Sequence, residues 1–345
     1  MKKSLIALAV LASSGAAMAQ SSVTLFGIVD TGIGYVNKSN AAGDSKYGVY
    51  TSGNYTSRIG FRGVEDLGGG LKAGFWLEGE IFGDDGNSAG MNFKRRSTVS
   101  LSGGFGEVRL GRDLTPGYTK TSSYDLFNQT GIGQFMGWSN WYGSANDANG
   151  IRSSNMVSYY TPNMGGFTGA IGYGFDEQTS GHAGRYMGGY VAYDNGPLSV
   201  AVSYDDRDTV LANRDRNALT VGASYNMNVV KLSGIVQQTR DKIDGASNQK
   251  VNAYMLGASA PVGAGEVKIQ YALYDQKAFD NAKSHQLSLG YVYNMSKRTA
   301  VYGNVAYLKN KDGANLGLAA KDLNTTGPGN GKAQTGVQVG IRHSF

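Results

Sequence analysis

Apolar residues recur at every second position in many short runs of this 345-residue chain. In the last run, Val337, Val339 and Ile341 alternate with polar or small residues. The same alternation occurs at 23–35, 71–78 and 266–273. Phe26 and Ile28 break it in the first run. Because side chains along a β-strand point to opposite faces in turn, this period of two predicts strands with one apolar face each.

The connections between these runs are alternately short and long. Seven are short turn signals: 66–70, 103–106, 162–166, 194–197, 226–228, 261–265 and 294–297. Eight are longer polar stretches: 37–56, 83–92, 113–154, 176–184, 205–216, 239–250, 275–283 and 309–333. Fifteen connections imply about sixteen strands, an even number that returns both chain ends to one side. The sequence therefore predicts an all-β fold, a sixteen-stranded antiparallel transmembrane β-barrel with short periplasmic turns and long outer loops.

The composition fits such a barrel. The chain has no cysteine, 52 glycines and 22 tyrosines. Tyrosines stand at strand ends on the apolar face, among them Tyr35, Tyr159 and Tyr307. Tyrosine rings suit the two membrane interfaces, although tyrosine is also common in strands generally. Beyond residue 19, no run approaches the roughly 20 apolar residues of a membrane helix.

The first nineteen residues have the features of a secretory signal peptide. Two lysines precede an apolar run at 5–12, and a small-residue site ends at Ala19. We expect cleavage between Ala19 and Gln20, which leaves residues 20–345 as one outer-membrane barrel domain. The formal net charge of +6 then falls by two. The remaining basic residues are spread among acids, unlike the dense basic patch of a nucleic-acid binder.

The longest connection, 113–154, is unusually aromatic. It contains two of the three tryptophans, Trp138 and Trp141, together with Phe127 and few charges. A loop of this length is usually functional or disordered, and the aromatic content argues against disorder. If the strands close into a barrel, we expect this loop to fold inward and narrow the lumen.

Five motifs occur along the chain: VTLFGIVD at 23–30, SRIGFRGVEDLGGGLKA at 57–73, LSGGFG at 101–106, YDNGPL at 193–198 and GIRHSF at 340–345. Together they resemble the Gram-negative general porins of the neisserial and β-proteobacterial type. The resemblance implies a homotrimer of sixteen-stranded barrels, each an independent diffusion pore with 113–154 as its constriction loop. It also implies that Phe345 belongs to the signal recognised by the barrel-assembly machinery.

Basic residues cluster on the predicted inward faces of the early strands and at the ends of the long loop. The candidates for a basic pore constriction are Arg58, Arg62, Arg95, Arg96, Arg109, Arg112 and Arg152. Arginine stays charged and binds anions through a planar fork. The alternation favours Arg96 as inward-facing, whereas the resemblance places the pore arginine nearer Arg95. A β-bulge would reconcile the two positions.

Acidic residues of the loop are candidates for the opposite side of the constriction. They are Asp113, Asp125 and Asp147. Fixed charges on two sides would set up a transverse field and bias ion passage. Because the loop carries few charges, strong selectivity is not expected. Single arginines could instead pair with Glu78, Glu80 or Glu107.

These features predict a passive general diffusion porin that passes ions and small hydrophilic solutes across the bacterial outer membrane, with weak anion selectivity. Expected partners are two further copies of the chain, outer-membrane lipid or lipopolysaccharide, and the barrel-assembly machinery, without nucleic acid. Two alternatives stay open. One is a substrate-specific channel for sugars or small organic acids, in which loop aromatics form a stacking track. The other is an adhesin or structural barrel with a plugged lumen.

Catalytic and cofactor signatures are weak in this sequence. His182, His285 and His343 are far apart and lack metal-ligand spacing. The acidic stretch 84–87 lacks the ligand spacing of an EF-hand, and no nucleophile elbow occurs. We therefore expect neither an enzyme nor a bound metal or cofactor.

Overall fold

The computed structural model describes residues 22–86, 92–138, 151–208, 214–243, 248–277, 282–319, 323 and 325–345. Its strands are β1 (Ser22–Val36), β2 (Lys46–Thr51), β3 (Arg58–Gly68), β4 (Leu71–Glu80), β5 (Arg96–Gly103), β6 (Gly106–Leu114), β7 (Arg152–Tyr160), β8 (Phe167–Gly174), β9 (Tyr186–Asn195), β10 (Leu198–Asp208), β11 (Arg214–Asn226), β12 (Lys231–Ile243), β13 (Gln249–Val262), β14 (Gly265–Gln276), β15 (Ala282–Asn294), β16 (Thr299–Lys311) and β17 (Ala333–Ser344). A helix, α1 (Pro116–Thr121), and a 3₁₀ turn (Ser122–Tyr124) follow β6. Among the described residues, no helix has the length and apolarity needed to cross a membrane.

The strands form one closed antiparallel sheet. From β3 to β17 each strand pairs with the next, and β17 pairs with β1. At this seam, Gly27 and Phe345 exchange backbone hydrogen bonds of 3.1 and 3.0 Å. β2 and β3 share one place in the wall, because β1 pairs with β3 along residues 22–28 and with β2 along residues 31–36. The barrel therefore has sixteen wall strands, which confirms the predicted fold class.

Side chains alternate between an outer apolar face and an inner face. On β16, Tyr302 and Asn304 are buried inside the barrel, whereas Val301, Val305 and Tyr307 are exposed outside. Exposed apolar residues recur in this way on strand after strand, and such a surface is favourable against hydrocarbon. The period of two in the sequence thus arises because each strand has one apolar face, which lies on the outside of the barrel.

The two exceptions in the first run lie on the inward face. Asp30 on the same face of β1 is fully buried. Phe26 packs edge to face against Trp76 on β4, with ring centroids 5.0 Å apart. Phe26 is therefore apolar because it meets an aromatic partner inside the barrel.

Several strands extend further than the sequence predicted. The predicted connection 37–56 contains β2, and the strands β11 to β13 continue into the predicted loops 205–216 and 239–250. Above the hydrocarbon both faces of a strand contact water, so polar residues no longer alternate with apolar ones. The period of two is consequently lost before the strand ends.

The main apolar core lies inside the barrel. It joins the connection after β6 to the inner wall and to the connection after β16. Its buried members include Val36, Tyr50, Ile132, Phe135, Tyr274, Leu318 and Leu323. The packing therefore fixes the long connection to the wall.

Candidate functional site

The connection after β6 begins with α1. Pro116 stands at the start of this helix, where its missing N–H has no intrahelical acceptor to lose. Lys120 donates to both carboxylate oxygens of Asp194 at 2.8 Å. The Tyr124 hydroxyl lies 2.9 Å from Ser199 Oγ. Asp194 and Ser199 face inward on β9 and β10, so this part of the connection contacts the inner wall.

Glutamines of the inner wall bind the backbone of residues 126–136. Gln270 Oε1 accepts from the Leu126 N–H at 3.2 Å, and Gln338 Oε1 accepts from the Ile132 N–H at 2.9 Å. The Gln286 amide donates to the Ile132 carbonyl at 3.1 Å. All three glutamines are buried. Because buried backbone groups need hydrogen-bond partners, these side chains hold the loop in place.

Asp125 organises the loop from within. Its carboxylate accepts the backbone N–H groups of Phe127, Gln129 and Phe135 at 2.8 to 3.2 Å. Burial raises the pKa of this carboxyl, and the hydrogen bonds from the backbone oppose that shift. Asp125 was expected to face the arginines across the lumen. Its carboxylate is instead enclosed by the loop.

The loop aromatics pack against the wall and against each other. Phe135 is fully buried and stacks on Tyr274 with a centroid distance of 5.8 Å. Trp138 meets Phe135 and Tyr118 edge to face at 5.6 and 5.2 Å. Phe127 is also buried and lies over Gly290, where an added Cβ would be 2.8 Å from its ring. Trp141 and Asp147 lie outside the described residues.

The wall is interrupted between β2 and β3, and this break lies against the connection after β6. Between β2 and β3, residues 52–57 leave the sheet and turn inward. Asp30 on β1 accepts the N–H groups of Gly53, Asn54 and Tyr55 at 2.6 to 3.3 Å. The Tyr302 hydroxyl donates to the same carboxylate at 2.5 Å. One buried carboxylate therefore ties the break to β1 and β16.

The break also contacts the loop directly. Asn128 Nδ2 donates to the Asn54 carbonyl at 3.2 Å, and the Thr130 hydroxyl donates to the Ser52 carbonyl. Asn304 on β16 donates to the Gly53 carbonyl at 3.2 Å. The loop and the break in the wall thus support each other.

Glu78 on β4 brings two arginines together. Its Oε1 lies 2.6 Å from Arg95 Nε and 3.5 Å from Arg58 Nη1. Its Oε2 accepts from Trp76 Nε1 at 3.2 Å. Arg152 Nε donates to the Arg95 carbonyl at 3.0 Å. Arg58, Arg95 and Arg152 therefore lie in one connected cluster.

Asp113 and Glu107 bind a second pair of arginines. Asp113 Oδ2 lies 2.6 Å from Arg109 Nη1 and 3.4 Å from Arg96 Nε. Glu107 Oε2 lies 3.0 Å from Arg109 Nη2. The expectation that Asp113 stands opposite the arginines is wrong. Because β6 continues to Leu114, Asp113 shares the inward face of that strand with Arg109.

Arg62 packs against two aromatic rings. Its guanidinium lies over the rings of Phe26 and Trp76, at 5.2 and 5.1 Å from their centroids. Arg96 lies over the same Trp76 ring at 4.4 Å. Within the part of the chain that the structure describes, Arg62 makes no ion pair, and it lines a recess of about 380 Å³. The aromatic faces stabilise its charge without neutralising it.

Arg95 and Arg96 both reach the interior. Arg96 begins β5 and follows the alternation, whereas Arg95 precedes the strand and turns its side chain to Glu78. No register shift interrupts the pairing of β4 with β5. Arg112 lies at the rim, where it donates to the Lys94 carbonyl at 2.6 Å and to Ser154 Oγ at 2.7 Å.

Six inward arginines thus line one stretch of the wall from β3 to β7. We call this set the arginine wall; its members are Arg58, Arg62, Arg95, Arg96, Arg109 and Arg152. Desolvation raises the pKa of Tyr118 on α1 to about 12, while the nearby charges of Arg152 and Arg95 oppose the shift. The helix of the loop therefore lies within electrostatic reach of the arginine wall.

Sequence reasoning missed the residues that position the loop. Gln270, Gln286 and Gln338 do occupy inward positions of the alternation, and this polar pattern was the available signal. Asp30 and Tyr302 are separated by 272 residues, so their hydrogen bond follows only from the closed barrel. Nothing local in the sequence identifies these pairs.

A closed antiparallel barrel with an apolar exterior and a charged interior defines an outer-membrane channel protein. The profile of the Gram-negative porin family matches residues 4–313, and the chain belongs to this family. This confirms the resemblance read from the motifs, and it places the protein in the outer membrane.

Relatives support this assignment over the whole chain. The chain is 67% identical to outer membrane porin protein 32 of Delftia acidovorans and 34% identical to an outer membrane porin protein of Bordetella pertussis, with 100% of both partners aligned in each comparison. A solved anion-selective porin from Comamonas acidovorans is similar with a TM-score of 0.90 and 64% identity, and the match covers 94% of this chain and 100% of that chain.

Proposed function

We propose that this porin is a passive general diffusion channel in which the arginine wall produces a weak preference for anions. The observation that carries the proposal is the charge balance of the wall. Four of its six guanidinium groups, those of Arg58, Arg95, Arg96 and Arg109, form ion pairs with three carboxylates, those of Glu78, Glu107 and Asp113. Fixed charges of one sign raise the local concentration of counter-ions without binding them tightly.

The described part of the long connection supports a constriction at the same level. Residues 115–138 are held against the inner wall, and Tyr118 lies close to Arg95 and Arg152. We infer that solutes pass between this loop and the arginine wall. Since carboxylates compensate part of the guanidinium charge, the preference for anions is weak.

A substrate-specific channel is less well supported. That function would need loop aromatics free to stack on a solute. Phe127 and Phe135 are buried, and Trp138 packs on Phe135 and Tyr118. These rings are occupied by the packing of the loop, which favours general diffusion of ions and small hydrophilic solutes.

We further propose that three copies of the chain assemble in the membrane. A membrane-spanning strand needs about 9–11 residues. β5 and β8 have only 8 residues each, whereas β13 has 14. A short wall that still exposes Leu101 and Ile171 is expected to be covered by another copy.

The processing and delivery of the chain belong to the same proposal. We propose that residues 1–19 are removed between Ala19 and Gln20, and that residues 20–345 form the barrel in the outer membrane. We also propose that Phe345 is recognised by the barrel-assembly machinery. Its backbone then closes the seam with Gly27.

Permeability of single-residue variants tests the role of the arginine wall. We expect Arg95→Gln to lower the ratio of chloride to potassium permeability by about two- to fourfold, as expected for one charge within a few ångströms of the ion path. The matched control is Arg298→Gln, which removes the same charge from an exposed turn. Equal ratios in both variants would contradict the proposal.

A further inference from the structure

A recess in the inner wall lies nearer the short turns than the arginines that Glu78 brings together. It has a volume of about 380 Å³, and its lining includes Arg62, Val64, Gly74, Trp76, Ser100 and Arg109. Arg62 follows Arg58 by four residues on β3, which places it about 13 Å further along the strand. This space, which we call the Arg62 recess, is therefore separate from the cluster around Glu78.

The recess exists because Gly74 has no side chain. Across β3 and β4, the strand register places Arg62 opposite Trp76 and Val64 opposite Gly74. On its other side, Gly74 lies opposite Ser100 of β5. A Cβ on Gly74 would lie 3.0 Å from Ser100 Oγ, so a larger side chain would fill the space next to Trp76. The floor of the recess is thus bare backbone beside an indole ring.

Arg62 supplies the charge of this recess. Its guanidinium lies 5.2 and 5.1 Å from the ring centroids of Phe26 and Trp76, and its side chain is exposed. Among the described residues, Arg62 has neither an ion pair nor a hydrogen-bond acceptor for its side chain. The two rings hold the guanidinium in place, and its N–H groups remain available to a ligand.

The other charged groups near the recess are paired with each other. Glu107 lines the recess too, but Arg109 binds both oxygens of its carboxylate, at 3.2 and 3.0 Å. Arg96 and Arg109 also contact Asp113. An anion that enters the recess therefore meets Arg62 as its main attraction.

We propose that the Arg62 recess is a binding subsite for a small monocarboxylate with a planar apolar body, the class to which benzoate belongs. The two carboxylate oxygens would accept from the planar fork of Arg62, a geometry that a spherical chloride ion cannot match. The apolar body would lie over Gly74 between Val64 and Trp76, where it is removed from water. This inference rests on the proposed channel function, because a solute reaches the recess through the lumen.

Block of the chloride current by benzoate in planar bilayers tests the subsite in the full mature porin. Gly74→Val fills the recess and removes no charge. We expect the benzoate concentration for half-block to rise about tenfold in this variant, because the excluded ligand loses its charge-assisted hydrogen bonds. The matched control is Gly48→Val on the inner face of β2, where no atom lies within 4 Å of an added Cβ. This control should be blocked like the unchanged porin.

A second variant tests the role of the guanidinium fork. Arg62→Lys keeps a positive charge but replaces the planar fork by a single ammonium group. We expect weaker block by benzoate, because one ammonium group does not match both carboxylate oxygens. Benzamide, which has the same ring without the charge, should not block the unchanged porin.

Four results would overturn the proposal. They are the absence of a saturable block by benzoate, equal half-block concentrations in the two valine variants, an undiminished block of Arg62→Lys, and equal block of the unchanged porin by benzoate and benzamide. Heat-modified gel mobility reports whether each variant has folded. Half-block concentrations measure the subsite, whereas reversal potentials measure the ion preference, so a failure here is distinguishable from a failure of the proposed channel function.

Discussion

Glu78 shows how single residues set the charge of the lumen. Arg58 and Arg95 both contact its carboxylate, and the sequence indicated it only as one of three acids that could compensate an arginine. Parity predicted Arg58, Arg62, Arg96 and Arg109 on the inner face because a strand alternates strictly. The alternation could not predict that Arg95 faces inward, because Arg95 precedes its strand. It could not predict the ion pairs of Asp113 either, because these depend on where β6 ends.

Removing the Glu78 charge should strengthen the anion preference. In Glu78→Gln the guanidinium groups of Arg58 and Arg95 lose their shared carboxylate, so their field in the lumen grows. We expect the ratio of chloride to potassium permeability to rise by about two- to fourfold. Reversal potentials across a salt gradient measure this ratio.

The control for this change is Glu65→Gln, which removes the same charge from an exposed position of β3. It should leave the ratio unchanged. If Glu78→Gln and Glu65→Gln shift the ratio equally, the compensation by Glu78 has no role in selectivity.

The sequence predicted that the long connection is an ordered loop, but it did not predict which wall residues hold that loop. Its length and aromatic residues predicted an ordered loop. Its hydrogen-bond partners Gln270, Gln286 and Gln338 lie on strands that are far from the loop in sequence. The break at 52–57 depends on Asp30 in the same way. Such contacts follow from the register of a closed sheet, which local patterns do not contain.

Gly222 on β11 gives a test of how tightly the loop is held. A Cβ at this position would lie 2.1 Å from Tyr124 Cδ2, so Gly222→Ala must displace the ring of Tyr124. We expect a lower unfolding temperature and a change in single-channel conductance. Differential scanning calorimetry and bilayer recordings measure the two effects.

Gly234→Ala on β12 is the matched control. There the nearest atom to an added Cβ, the Met255 carbonyl oxygen, is 3.5 Å away. This variant should keep the original conductance and stability. Indistinguishable recordings from the two alanine variants would mean that the loop is not fixed at Tyr124.

For the whole molecule, the sequence predicted the fold because lipid and water select side chains on opposite faces of each strand. The same selection gave the strand number through the alternation of short and long connections. The sequence could not reveal that β2 and β3 share one wall position, because the inward break between them has the composition of a polar loop. Nor could it show that β5 and β8 have only 8 residues each.

The reversal potential of the unchanged mature porin in a planar bilayer under a potassium chloride gradient tests the anion preference of the arginine wall. The arginine wall predicts an anion-directed potential, recorded with conductance steps in groups of three. The preference should shrink as salt rises, since the screening length falls from about 10 Å at 0.1 M to about 3 Å at 1 M. A cation-directed potential, or the absence of any conductance, would contradict the account.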